Sequence, residues 1–440
     1  CSSSITQIIK VNTMFIGIDD TDSREGMCTT YLGALLMEEL QQYGSIHELP
    51  ILVRLNPTIP YKTRGNACIG IDIVTSCPDK VMEHVISRVA AMSAMECEMT
   101  NPGVVFVQDD EAGRVKDTLG TFFQRAVRTV LSIEEAKSMI AETGLRARGF
   151  KNGRGLIGAL AACGAMLNPG WDHTFEYLAY RQREKWGTLR NVDKESFFIA
   201  DGVTYPATWD TVDVSNGLVV CVPHSPDPVL YGIRGRDPDV VKRTAEMIIS
   251  EPLERSCIYC TNQGTDMHLL PIDSISGIEE MQSYIVSGFV SEDPFTIPGG
   301  HTIFQISDVS GFSVECAAFE PTKDFRSLVR KLIQGDVIKV YGSFMNKALN
   351  IEKIEVVSLA PLVVSHNPEC PSCGKRMESA GRGQGYRCRK CGTRSSSLVQ
   401  VQQKRNIEPG MYEVPPCARR HLAKPLVRMQ PSGSNIFPSR

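Results

Sequence analysis

No stretch of this 440-residue chain approaches the roughly 18 to 20 consecutive apolar residues that cross a bilayer, which excludes a membrane-spanning helix. The first thirteen residues, CSSSITQIIKVNT, lack the succession of basic start, apolar core and cleavage site of a signal peptide. They read as an unstructured extension ahead of Met14. The GxxxxGK[ST] pattern is missing, so the chain is not a P-loop enzyme. Hydrophobic residues at 42% and charged residues at 22% describe neither a disordered nor a fibrous protein, and the length suggests about three globular domains. Of fifteen cysteines, eleven are scattered, several inside apolar runs (Cys68, Cys163, Cys221, Cys316). They suit small buried residues in a reducing cytosol better than disulfides.

What is present is concentrated. MFIGIDDTDSREGMCTTY, residues 14–31, is a short apolar run ending in three carboxylates, Asp19, Asp20 and Asp22, followed by Ser23, Gly26 and Cys28-Thr29-Thr30. Acids brought to one strand end repel and lose hydration, which favours a cation between them. Magnesium, with its preference for a few carboxylates plus phosphate oxygens, is the expected ion, and a nucleotide its companion. Asp and Ser that cap their own backbone in a turn give the same pattern.

Charge is divided. Residues 371–440 carry 14 Lys and Arg against 3 Glu, a net of +11 inside a chain whose total is −3. A basic end on an acidic body suits a polyanionic partner, usually nucleic acid, as well as a merely solvated tail.

Periodicity predicts strand 14–19, helix 28–43, strands 48–55 and 67–75, helix 78–95 and strand 103–108, a βαββαβ order. Helical segments follow near 111–130 and 133–144. A second mixed region, 151–275, opens with helix 154–166 and holds strands near 173–180, 217–223, 229–233 and 256–261, with a helix at 238–250. Between 281 and 358 five alternating runs, with one helix after the third, give the order of an OB-fold barrel. Residues 395–410 read as a polar linker or exposed helix.

Cys370-x-x-Cys373 and Cys388-x-x-Cys391, fourteen residues apart, form two knuckles for one tetrahedral zinc. The basic, Gly-rich segment between them offers Arg and Lys to phosphates and Tyr386 to a base. Cys257 and Cys260 have no second pair and read as coincidence. RLNPTIPYKTRGN, residues 54–66, packs Arg54, Lys62, Arg64, Gly65 and Asn66 into one loop suited to phosphate, or to plain solvation. Gly153, Gly155 and Gly158 spell GxGxxG, but without a preceding buried strand and a later ribose-binding acid this is no dinucleotide site. A helix start that takes an anion stays open. Thr29 and Thr30 either cap a helix or face a phosphate. His224, Asp227, Tyr231, Arg234 and Arg236, with Tyr205, Asp210 and Asp213, suit a cationic amine and ordinary turns about equally.

GIDDTDSREGMCTTY, RLNPTIPYKTRGN, KNGRGLIGALAACGA, PVLYGIRG, CAAFEPTKDFR, CPSCGKRMESAGRGQGYRCRKC and YEVPPCARRHLAKPLVR occur together and in order. With them the chain closely resembles the archaeal tRNA-isoleucine 2-agmatinylcytidine synthetase family from Met14 to about Arg428. The resemblance implies a cytoplasmic, multidomain α+β enzyme. Its expected parts are an extension (1–13), an ATP-binding kinase-like catalytic domain (14–150), a ferredoxin-like domain (151–275), an OB-fold (276–362), a zinc ribbon (363–395) and a basic tRNA-binding tail (396–440). It implies ATP-dependent phosphorylation of the C2 oxygen of the first anticodon cytidine in CAU-anticodon isoleucine tRNA. Agmatine then displaces the phosphate, so that AUA is read. Asp19, Asp20 and Asp22 take the magnesium role, and Thr29 matches an autophosphorylated threonine. Thr30, Lys62, Arg64, Gly65 and Asn66 are expected at ATP phosphates. Arg382, Tyr386, Arg387, Arg389, Lys390, Arg419, Arg420, Lys424 and Arg428 are expected at tRNA. Two other classes fit parts of the pattern: an aspartyl-phosphate phosphotransferase with Asp20 as nucleophile, and a non-catalytic RNA-binding protein.

Overall fold

The first strand, Asn12–Asp19, shows how the acid cluster is placed. Met14, Ile16 and Ile18 are buried on one face, and the period of two sends Phe15, Gly17 and Asp19 to the other. The computed structural model describes residues 12–429 and 435–440. The expected extension at 1–13 therefore lies almost wholly outside the described residues, except that Asn12 and Thr13 already belong to this strand and pair with Thr75 and Val74.

Strand Asn12–Asp19 runs antiparallel between Ala67–Thr75 and Gly103–Gln108 (Gly17 opposite Gly70 and Val105). Ile51–Arg54 lies outside Ala67–Thr75, and Arg146–Gly149 outside Gly103–Gln108. One face is covered by α1 (Thr29–Glu39) and α2 (Pro78–Met92), the other by α3 (Asp109–Arg128), α4 (Ile133–Thr143) and α5 (Leu156–Leu167). Helix α5 follows the boundary expected at 150 and packs with the first unit. Helix α5 is apolar on every side and sits in the core of the first unit, where Gly164 lies so close to Leu119 that a Cβ would be 2.1 Å from its carbonyl oxygen.

A second unit continues the sheet. Leu253–Thr261 pairs in parallel with Ile51–Arg54 (Cys260 opposite Ile51), then come Thr174–Arg181, Val229–Gly235 and Thr208–Trp209. Both units have βαββαβ connectivity with spatial order fourth, first, third, second, and they share one ten-stranded sheet edge to edge. Helices α6 (Lys194–Thr204) and α7 (Pro238–Glu246) belong to the second unit. Helix α6 was not expected from the sequence, and the strand expected at 217–223 shrinks to Leu218–Val219.

Beyond it five strands close a ring. Gln282–Ile297 pairs with His301–Ser307 and with Val337–Met345; Ser313–Ala318 pairs with His301–Ser307 and, in parallel, with Ala348–Ser358, which returns to Val337–Met345. Helix α8 (Phe325–Val329) follows the third strand. Leu362–His366 pairs with Val399–Gln403, so within 395–410 residues 399–403 form half a β-ribbon and no helix.

The basic end is also folded. Gly410–Glu413 adds to the barrel strand Ala348–Ser358, and Tyr412 stacks on Phe437 at 4.5 Å. Backbone N–H groups of Gly264 and Asp266 donate to the carbonyls of His421 and Leu422, both at 2.8 Å. Residues 410–429 form a strap across barrel and second unit, where Arg419, Lys424 and Arg428 meet carboxylates.

Candidate active site

A cleft of about 370 Å³ opens where the first unit, the second unit and the strap meet. Its acidic wall is the loop after strand Asn12–Asp19. Asp19 reaches over Gly158, whose missing side chain is a requirement: a Cβ there would lie 2.0 Å from its Oδ2. Gly155, with its virtual Cβ 2.4 Å from the nitrogen of Gly103, lets the start of α5 sit against the same strand ends. GxGxxG is thus a close-packing device beneath the acid loop. Asp20 has φ +60°, a left-handed conformation that Asp tolerates better than most residues, and its Oδ2 accepts from the Asn101 backbone at 3.0 Å. Burial, then the charge of Asp20, raises the Asp19 carboxyl well above the usual range. Burial, then Asp22, raises Asp20 to about 7, against the pull of the Asn101 N–H and the charge of Arg154. Two carboxylates that resist ionisation are a fit for a hard cation.

Asp22 is turned elsewhere. It accepts from Thr63 Oγ1 at 2.8 Å and from Arg64 Nε at 2.9 Å. The sequence places the three acids at one point, but among the described residues they form no group tight enough to hold one ion as they stand, and Arg64 competes for the third. Arg64 also reaches Asp227 of the second unit at 3.0 Å and the Met27 carbonyl, tying the cation loop, the acid loop and the second unit together. Thr29 opens α1 on the cleft wall, 4% exposed, and accepts a hydrogen bond from Thr21 Oγ1 at 3.1 Å. Thr30 contacts Cys28 Sγ at 3.0 Å and its carbonyl accepts from Tyr259.

The cation loop lies opposite, as expected. Lys62, Arg64, Gly65 and Asn66 all line the cleft. Asn66, at φ +48°, donates to the Asn56 carbonyl at 2.8 Å, and Gly65 leaves no room for a side chain, since a Cβ there would lie 2.3 Å from Arg54 Nη1. Arg154 joins from α5's approach, stacked on Tyr61 at 4.0 Å. Of the polar residues singled out in the second unit, Asp227 and Arg234 reach the cleft. Tyr231 is core, Asp213 accepts from Asn216, Asp210 pairs with Arg419, and Arg236 is surface. The sequence reading missed Arg54's inward position, Glu176 and His421, all brought in by tertiary contacts that leave no local signal.

Cys370, Cys373, Cys388 and Cys391 place their sulfurs within 4.8 Å of one another, and Cys391 N–H donates to Cys388 Sγ at 3.4 Å. This set fits zinc held at about 2.3 Å per sulfur. On the ribbon, Arg382, Arg387, Arg389 and Lys390 are exposed, Arg389 pairing with Glu378, whereas Tyr386 packs partly against the cysteines. The strap cations behave differently. Arg419, expected at tRNA, has a side chain 3% exposed and paired with Asp210 and Glu413. Arg420 donates to Ser343 Oγ, and Lys424 and Arg428 both pair with Asp172 at 2.9 Å. These hold the strap down.

Three family models match consecutive parts of the chain: the TiaS TCKD domain over 15–152, the TiaS FLD domain over 153–268, and the TiaS C-terminal zinc ribbon domain over 367–407. The chain is 60% identical over 428 residues to the 2-agmatinylcytidine synthetase TiaS of Methanosarcina mazei, an isoleucine-tRNA enzyme by name, covering 97% of this chain and 100% of the relative. It is similar to the crystal structure of a TiaS–tRNA–ATP complex (TM-score 0.88, 46% identity, 97% of this chain and 100% of the other). It is also similar to that of a TiaS–tRNA–AMPCPP–agmatine complex (TM-score 0.86, 43% identity, 97% and 100%).

Proposed function

The chain belongs to the TiaS family of tRNA 2-agmatinylcytidine synthetases, and from that membership we propose that it uses ATP to join agmatine to the first anticodon cytidine of CAU-anticodon isoleucine tRNA. It is an ATP-dependent enzyme with tRNA and agmatine as substrates and a zinc ribbon as a structural part. The observation that carries the reading is the cleft in which an acid loop and a cation loop face each other between two units. No described helix is long and apolar enough to cross a membrane, and we place the enzyme's work in the cytoplasm, where tRNA is used.

The chemistry follows from leaving groups. A carbonyl oxygen leaves poorly; its phosphate ester leaves well. In the first step the C2 oxygen of the base bonds to the γ-phosphorus of ATP as the bond to the bridging oxygen breaks. In the second, the agmatine amine bonds to C2, the C–O bond breaks, phosphate departs and the amine loses its proton. Asp19 and Asp20, joined by Asp22 when Arg64 releases it, are the residues we assign to magnesium, an ion that neutralises phosphate charge when bound. Lys62, Arg64, Gly65, Asn66 and Thr30 are assigned to ATP phosphates, with Arg64 offering a fork to the oxygens. Thr29 is proposed as a phosphate acceptor, supported by its hydroxyl on the cleft wall at the start of α1. Agmatine is placed between the two units.

We read the two βαββαβ units as ferredoxin-like in connectivity, the first serving as the kinase-like domain, and the ring as an OB-fold. Strand order and the helix after the third barrel strand support this. Ribbon cations Arg382, Arg387, Arg389 and Lys390 are assigned to RNA phosphate, and the target base to a splayed-out position in the cleft.

The test is the mass of the anticodon nucleoside after incubation with tRNA, ATP, magnesium and agmatine. A gain equal to agmatine less water, lost in Asp20→Ala, is expected. No gain from protein that holds zinc and binds the tRNA contradicts the reading.

A further inference from the structure

His421 comes from the strap, some 360 residues beyond the cation loop, yet stands on the cleft wall beside Gly65. A Cβ built on Gly65 would be 3.8 Å from His421 Nε2 and 2.3 Å from Arg54 Nη1. The imidazole is held by a chain of side chains. Gln263 Nε2 donates to Glu176 Oε2 at 2.5 Å, Glu176 Oε1 accepts from Arg234 Nε at 3.0 Å, and Arg234 Nη2 lies 2.6 Å from His421 Nδ1. Guanidinium nitrogens only donate, so Nδ1 must accept. The proton of the neutral ring is then on Nε2, which faces the cleft and has no protein partner among the described residues. Its place inside the cleft, and then Arg54, Arg234 and Lys62, hold the imidazole well below its ordinary pKa. The ring is neutral at physiological pH and presents an N–H. With Nδ1 occupied it has no free lone pair for accepting the amine proton, which removes it as a base for agmatine.

Around it the charge is positive. Among the described residues Arg54 Nε is buried without a hydrogen-bond partner, and Lys62 reaches no carboxylate, only the Pro57 carbonyl. Glu176, whose charge also acts on Arg54, is already bonded to Arg234 and Gln263, so none of these three donors holds a carboxylate of its own among the described residues.

We propose that Arg54, Lys62 and His421 form an anion subsite that seats a phosphate oxygen, with Arg234 as the residue that positions His421. This rests on the function proposed above and extends it: the strap completes the cleft. The phosphate is that of the RNA backbone beside the target nucleotide or that of the nucleotide cosubstrate; one chemistry serves both.

The test compares wild type with His421→Ala, His421→Gln and Lys62→Gln in the full-length, zinc-loaded protein. ATP affinity is measured by calorimetry and tRNA affinity by filter binding across a salt series. His421→Ala is expected to weaken one of the two ligands about tenfold, the scale of a lost hydrogen bond to a charged group. His421→Gln, which keeps an N–H, is expected to recover most of it. A loss confined to tRNA, with Lys62→Gln lowering the salt slope by about 0.7 to 0.9, identifies an RNA phosphodiester. A loss confined to ATP identifies a nucleotide phosphate. If His421→Ala keeps wild-type zinc content and melting temperature and binds both ligands as wild type does, the subsite is wrong. Should His421→Ala fail to fold, an unchanged affinity of Lys62→Gln for both ligands overturns it equally. Agmatine addition by wild type is scored in parallel: wild type that modifies tRNA with unaffected variants refutes the subsite alone, whereas inactive wild type refutes the function.

Discussion

Asp20 combines two costs at one residue: a left-handed backbone and a carboxyl in a buried, acid-lined loop. Its folded pKa, pushed up to about 7 by burial, lies above the ordinary 3.8 of the free side chain. Ionising it therefore costs folding stability, by nothing below the unfolded pKa and by a growing amount as pH rises to about 7. Asp20→Asn keeps both the tolerance of positive φ and an acceptor for the Asn101 N–H. In magnesium-free protein it is expected to raise stability by roughly 2–4 kcal/mol near pH 8, with the gain vanishing towards pH 4, while agmatine addition is lost. Melting temperatures across that range check it; a gain independent of pH contradicts it. The residues of this loop were legible in the sequence because Asp19, Asp20, Asp22 and Thr29 lie within eleven positions. What was not legible is that Arg64 holds Asp22 away from its neighbours, since the guanidinium approaches from 42 residues along the chain.

At the scale of elements, strands 67–75 and 103–108 were readable to the residue because β-branched runs end at turn residues there. Helix α6 was not. Its sequence KESFFIADGVT leaves Ile199 and Val203 exposed and buries Ser196 and Asp201, so its apolar pattern does not mark its inner face. The glycines of α5 and α3 provide a paired test. Gly158→Ala drives a methyl into Asp19, so activity is expected to fall at least a hundredfold. Gly113, in α3 with nothing within 4 Å of a Cβ, is expected to gain about 0.5–1 kcal/mol on Gly113→Ala with full activity. Melting curves and adduct yields for both variants separate close packing at the site from helix propensity. Equal activity in the two contradicts the role given to α5.

Across the whole molecule, the strap and a few buried ion pairs join the barrel to the sheet. His268 of the second unit faces Glu352 of the barrel at 3.2 Å, with side chains 0% and 5% exposed. Burial alone would raise the Glu352 carboxyl, but His268 and Lys353 hold it down to about 2. A depressed carboxylate contributes stability above its unfolded pKa of about 4.5 and loses it as pH falls towards 2. Glu352→Gln is expected to cost roughly 3–5 kcal/mol near neutrality, with the difference from wild type closing below about pH 4. Denaturant titration at several pH values reads this. The basic excess of the last seventy residues pointed to RNA, but three of its eight named cations, Arg419, Lys424 and Arg428, pair with Asp172, Asp210 and Glu413, pairings that composition does not reveal. The central claim, that the base oxygen leaves as phosphate, is tested most directly by placing heavy oxygen at C2 of the anticodon cytidine and following it through one turnover with ATP and agmatine. The account predicts the label in inorganic phosphate. Label recovered in water, or in the nucleotide product, contradicts it.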